Sequence, residues 1–197
     1  MALLLDDLFI DETAFADYRD ISEHSDIQRL NESIREAQIS DLAPFLGEPL
    51  YLELLNDFTP PETFATPKFD TLFNGEDYDY RGDTIRYHGL QPMLTMFAYA
   101  RYLNNLQLYV SRGGPVTYME ADVSEPAVQA QIKTKVIDSR AMAVRYQQEA
   151  IQYLDERRIP DYPTWGRSNI EQNKTFKFIK LGGNSTVLRK SNDIHYK

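Results

Sequence analysis

Asp77, Asp79, Gly82 and Ile85 stand at the spacing that opens a calcium-binding loop. Such a loop places oxygen ligands at alternate positions around a sharp glycine turn. Arg81 occupies a position where an oxygen ligand is wanted, and His88 stands where the bidentate glutamate should be. The set therefore reads as a solvated turn, although Asp77, Asp79 and His88 together keep open a rival reading as a metal-using enzyme. The three histidines, His24, His88 and His195, are scattered, and none pairs with an acid at helical metal-site spacing. H-E-x-x-H and E-x-x-H are missing, as are the G-x-x-x-x-G-K phosphate loop and the G-x-S-x-G elbow. Arg81-Gly82-Asp83 matches the adhesion tripeptide, but a plain turn accounts for it in a chain that shows no export signal. Asn31, Asn173 and Asn184 open glycosylation-type triplets, but Asn31 falls within an amphipathic helix and chance is the better account. These residues give no catalytic constellation, so the expectation is a protein that is not an enzyme, with no cofactor and no bound metal.

Charge is more informative than motif. The 197 residues carry a net charge of −9, and residues 1–80 hold 19 acidic residues against four basic ones. Residues 81–197 hold 11 acidic against 17 basic, and within them Arg167–Lys197 hold seven basic and two acidic. An acidic head and a basic tail favour head-to-tail contact between copies. An acidic domain with a basic tail of no special role fits the same numbers. A chain this acidic is a poor free nucleic-acid binder. Cysteine is absent, which removes disulfides and thiolate sites together. Met1–Leu5 run straight into Asp6 and Asp7, unlike a secretory leader, and no apolar run reaches membrane-spanning length. The chain reads as soluble and made in a reducing cytoplasm.

The elements that would position any functional surface are mostly helical. Residues 1–22 read as a short extended piece followed by a helical turn. Ile27, Leu30, Ile34 and Ala37 form one amphipathic stripe, with Ser22 or Ser25 available as a cap. Gly47 breaks that pattern, and a second helix restarts with Pro49 in its first turn, carrying Leu50, Leu54 and Leu55 inward. Pro60, Pro61 and Pro67 make a connector, and Lys68–Phe73 a short turn. Tyr78, Tyr80, Ile85 and Tyr87 alternate around a glycine turn, which predicts a hairpin at about 76–87. Leu90–Leu106 is apolar nearly all round and should be the central buried helix. Gly113, Gly114 and Pro115 end that unit.

From Ser124 to about Glu156 the chain predicts one uninterrupted helix, about 50 Å long at 1.5 Å per residue. Val128, Ile132, Val136, Ala143, Tyr146, Ala150 and Tyr153 line one stripe. Ile137, Ala141, Val144 and Ile151 line a second, and two adjoining stripes imply more than one partner helix. The fold class expected is mostly α: a helical bundle with one long C-terminal helix, a small β-hairpin and an extended C-terminal arm. Residues 1–165 would be the helical domain and residues 166–197 the basic arm.

Tyrosine is enriched at interfaces. Tyr78, Tyr80 and Tyr87 on a small hairpin are therefore expected to face another subunit, together with Arg140 and Arg145 on the long helix. Core filling is the alternative for the tyrosines. Phe176, Phe178, Ile179 and Leu181 on the basic arm suit strand addition to a partner's sheet edge. Folding back onto the chain's own hairpin is the other possibility.

The segment Ile34–Tyr51, with Phe73-Asn-Gly-Glu, Tyr87-His-Gly-Leu-Gln-Pro and Phe97-Ala-Tyr-Ala-Arg-Tyr-Leu, resembles a family of virion proteins of tailed phages. These are head-to-tail connector (adaptor) proteins as found in crAss-like and related gut phages, and the resemblance spans roughly residues 8–165. It implies a helical subunit that assembles with copies of itself, twelve being the expected number, as a ring beneath the portal around the DNA channel. Its partners would be the portal protein and neighbouring neck and tail proteins, with DNA passing through unbound. Its place would be the virion neck, after synthesis in the cytoplasm of a bacterial host and away from any membrane. Two other readings stand beside this one. The first is a non-virion helical adaptor or regulator that binds one protein partner; the second is another neck component, a stopper or tail-completion protein.

Overall fold

The computed structural model describes residues 8–18, 27–59, 63–105, 108–111, 114–117, 125–158 and 160–166. Helix α1 (Glu12–Tyr18) begins where the carboxylate of Asp11 accepts the backbone N–H groups of Thr13 and Ala14, at 2.7 and 3.1 Å. That is an N-cap satisfying two donors the helix leaves open. Helix α2 (Ile27–Ala37) buries Leu30, Ile34 and Ala37 as its periodicity predicts. Ile27, expected on the same stripe, is instead exposed at the helix start.

The helical path continues through Pro44 to Leu46. A π-helical turn (Gln38–Leu42) closes with the Ala43 N–H on the Gln38 carbonyl and leads into α3 (Ala43–Leu46). Pro44 has no N–H to donate, and a widened turn ahead of it absorbs that missing bond. The turn also buries Gln38, whose side-chain oxygen accepts the Phe9 N–H at 2.9 Å. Gly47 then breaks the helix and α4 (Glu48–Asp57) restarts with Pro49 in its first turn. Leu50 and Leu54 are buried there, whereas Leu55 is only partly covered.

Strands β1 (Phe58–Thr59) and β2 (Thr63–Phe64) make a two-rung ladder before α5 (Pro67–Asn74). The sequence reading of Lys68–Phe73 as a turn is corrected here to a helix. Pro67 sits in its first turn, where a proline loses nothing. Strands β3 (Glu76–Tyr80) and β4 (Asp83–Tyr87) form the expected hairpin, with Arg81 and Gly82 both at positive φ in a two-residue turn. Helix α6 (Leu90–Asn105) is buried along nearly its whole length, as its composition requires. A further ladder, β5 (Leu108–Ser111) with β6 (Gly114–Thr117), follows it.

Helix α7 (Glu125–Arg157) runs 33 residues without a break, within one residue of the limits read from the sequence. It packs along α6, while α2 packs on α6 as well, so α6 is the shared central element. Leu103 of α6 meets Val136 of α7, and Tyr87, just before α6, meets Tyr153. The two helices therefore run antiparallel. One apolar cluster reaches from Phe9 to Trp165, and Phe9, Phe58, Phe64 and Phe73 form its aromatic centre. The fold is a mostly α bundle with one long helix and a small hairpin. The arm, with Phe176, Phe178, Ile179 and Leu181, lies outside the described residues.

Candidate assembly surfaces

The hairpin divides its side chains by the alternation of a strand. Tyr78, Tyr80, Ile85 and Tyr87 share one face with Glu76, and Asp77, Asp79, Thr84 and Arg86 share the other. The first face lies on the C-terminal part of α7. Tyr87 stacks on Tyr153, with ring centroids 4.1 Å apart and planes 10° from parallel, and Tyr78 meets the same ring edge-on at 5.2 Å. Tyr153 donates its hydroxyl to Glu76 at 2.7 Å, and Arg157 reaches the same carboxylate oxygen at 3.3 Å. Tyr87 donates to the Leu72 carbonyl of α5 at 2.9 Å.

Two of the three hairpin tyrosines expected at a subunit contact are thus spent within the chain. Tyr78 is 4% exposed and Tyr87 1%. The physical reason is that a two-stranded hairpin is unstable alone and buries its apolar face on the nearest helix. Tyr80 lies at the margin, partly packed on the core, with the Arg81 guanidinium 5.0 Å from its ring centroid. Burial raises the Tyr87 phenol well above its ordinary value of 10. Burial first, and then the bond to the Glu76 carboxylate, raises that of Tyr153.

The base of the hairpin is closed by two glycines. A Cβ on Gly75 would collide with the Tyr87 carbonyl, and one on Gly89 with the Phe73 carbonyl. Only backbones without side chains approach this closely, and both residues also adopt positive φ.

The residues weighed as a metal site are held apart by separate partners. Asp77 pairs with Arg86 at 3.1 Å across the hairpin, and Asp79 accepts the Gly82 N–H at 2.9 Å, closing the turn. His88 pairs with Glu149 of α7 at 2.8 Å, beside the ring of Tyr146. These last residues, with Met142 and Arg145, line a cleft of about 160 Å³. Among the described residues, no three acids or histidines gather as metal ligands would. No described helix is long and apolar enough to cross a membrane.

Helix α7 presents a different kind of surface. Its inner stripe, with Val136, Ala143, Ala150 and Tyr153, is buried. Its second stripe is open over most of its length: Ile137 is 56% exposed and Val144 46%, and Ala141 between them is exposed as well, whereas Ile151 at its end is partly buried against the core. Arg140 and Arg145 are exposed alongside. Between Lys133 and Arg145 this part of the helix carries four basic residues and one acid, Asp138. Elsewhere among the described residues the exposed large apolar ones are Ile27, Ile39 and Leu52. Leu52 belongs to α4, which carries Glu48, Glu53 and Asp57 and no basic residue.

Residues 42–175 match the model of a family of unknown function, DUF6712. The chain belongs to that family. The match spans the region from the π-helical turn through α7, and so includes the hairpin, α4 and the open stripe, while α1 and α2 precede it. No curated protein and no solved structure matches the chain. The DUF6712 match carries no activity with it.

Proposed function

We propose that this protein is a structural component of a phage virion: a ring-forming head-to-tail connector that joins portal to tail around the DNA channel. The observation that carries the reading is the open apolar stripe of α7. A helix of 33 residues buries one seam against α6 and leaves Ile137 and Val144 of a second uncovered by any described residue. Large apolar side chains in a row on a charged helix mark a surface meant to be covered. The opposed charges of the two halves of the chain support contact between unlike faces of identical copies, which closes into a ring only at a fixed rotation. The resemblance of Ile34–Tyr51 and the Phe97–Leu103 run to phage connectors supplies the setting.

The acidic surplus of residues 1–80 suits a channel wall that repels phosphates and lets a genome slide past without adhering. Mass spectrometry of purified phage particles, with antibody labelling in the electron microscope, tests the reading. The expected result is this polypeptide in multiple copies at the junction of head and tail. Particles that lack it would overturn the proposal. Retention of packaged DNA by particles whose Asp and Glu residues in this region are neutralised tests the channel wall separately. Loss of smooth ejection is expected, and unchanged ejection speaks against an electrostatic role.

A further inference from the structure

Ile137, Arg140, Ala141 and Val144 occupy positions i, i+3, i+4 and i+7 of α7, and all four are exposed. Four residues at that spacing outline the hole that receives a side chain from a facing helix in knobs-into-holes packing. Here the ends are apolar, the floor is a small alanine, and one rim is basic. No described residue of the same copy fills it, so the occupant must be identified by its chemistry.

Charge decides among the candidates. A second α7 would set Lys133, Arg140 and Arg145 against their own copies, and like charges across a contact disfavour the pairing. The chain's own tail, Arg167–Lys197, is basic too. Helix α1 is acidic but exposes no large apolar residue, and the exposed Ile27 belongs to α2, where Arg29 and Arg35 balance Glu32 and Glu36. Ile39, also exposed, lies in the π-helical turn that continues α2, the helix that carries Arg29 and Arg35. Among the described helices, α4 alone joins an exposed apolar side chain, Leu52 at 39%, to an acidic helix without a basic residue. Glu48 lies one turn before Leu52 on the exposed side, and Glu53 follows it.

We propose that Leu52 of one copy seats in the hole formed by Ile137, Arg140, Ala141 and Val144 of a second copy, with Glu48 and Glu53 facing Lys133 and Arg140. Knob and hole lie on different helices, so every subunit gives one and receives one. That is a heterologous contact, able to propagate around a ring. Ten residues of α4 span about 15 Å and the hole about 10 Å, so one short helix covers it. The inference rests on the ring-forming reading and adds to it the two surfaces that meet.

The natural chain has no cysteine, which makes the test clean. Leu52→Cys protein is mixed with Ala141→Cys protein and oxidised, with each variant alone as a control. The expected product is a disulfide-linked pair formed in the mixture at least tenfold faster than in either control. Arg140→Glu should weaken self-association in sedimentation at least tenfold, and adding Glu48→Lys should restore it. Ala141→Cys homodimers forming fastest would overturn the contact in favour of a twofold α7 pairing. Duplex DNA bound by the natural chain and released by Arg140→Glu would overturn it in favour of a nucleic-acid surface. If the natural chain self-associates but neither the mixed disulfide nor the charge reversal has the stated effect, this contact falls and the ring survives. If it stays monomeric to about millimolar concentration and is absent from particles, both fall.

Discussion

The ring of Tyr87 lies flat on that of Tyr153, and this one stack binds the hairpin to the far end of the long helix. It joins residues 66 positions apart in the chain at the point where α5, the hairpin and α7 converge. Tyr78 adds its edge, and Glu76 receives the Tyr153 hydroxyl. A surface expected to bind other subunits is instead part of what makes the subunit.

Removing either ring should therefore damage the fold before it damages assembly. Tyr87→Ala and Tyr153→Ala are expected to cost about 3–5 kcal/mol, the range for deleting a large buried aromatic side chain. Tyr80→Ala, at the margin of the cluster, should cost about 1 kcal/mol or less. Urea unfolding followed by circular dichroism reads all three. Equal losses at the three positions would contradict the division of the hairpin into a buried face and a margin.

Gly75 and Gly89 should tolerate no side chain. Gly75→Ala and Gly89→Ala each add a forced collision with backbone to the strain of positive φ, and a loss above about 3 kcal/mol is expected. Gly82→Ala meets nothing within 4 Å, so it bears the backbone strain alone and should cost about 1–2 kcal/mol. The thermal midpoints should fall in that order. A Gly82 variant as unstable as the other two would show that the tip of the hairpin is packed.

Alkaline pH should unfold the protein earlier than its acidic charge suggests. Tyr87 and Tyr153 hold their protons in the folded state above pH 10, the value at which an unfolded tyrosine gives its proton up. Below pH 10 both states are protonated and stability is unaffected. Above it the unfolded chain binds fewer protons, so stability falls with rising pH by about 1.4 kcal/mol per unit for each such phenol. Urea midpoints measured between about pH 9 and 11 should decline, and Tyr153→Phe should reduce the slope by one proton. A flat profile would contradict the burial of these hydroxyls.

Arg140 and Arg145 are expected to behave in the opposite way. Both are exposed on α7, so Arg140→Glu and Arg145→Glu should change stability by no more than about 0.5 kcal/mol. Their effect should appear only in sedimentation or light scattering, as weaker self-association that also weakens for the natural chain when salt is raised. A drop in thermal midpoint without a change in association would assign them to the fold.

Much of this architecture is legible from periodicity and punctuation. The unbroken run after Ser124 gives α7 almost to the residue, the apolar run from Leu90 gives α6, and the Arg81-Gly82 turn gives the hairpin. What escapes is decided by tertiary context. Pro67 reads as part of a connector, yet it opens α5, and nothing in the periodicity of the first amphipathic stripe announces the π-helical turn at Gln38–Leu42. The alternation of Tyr78 and Tyr80 with Asp77 and Asp79 shows that one hairpin face is apolar. It does not say that the cover is Tyr153, although a tyrosine on the inner stripe of α7 was the available signal. The two stripes of α7 are likewise visible in the sequence, but only the packed structure shows that the second is covered at Ile151 and open among the described residues at Ile137 and Val144.

The account stands most directly on an image of the assembled neck. Cryo-electron microscopy of the phage particle, at a resolution that traces helices, should show a ring of copies at the head-to-tail junction, each with α7 covered by its neighbour. A neck complete without this chain, or copies whose α7 stripe faces solvent, would contradict it.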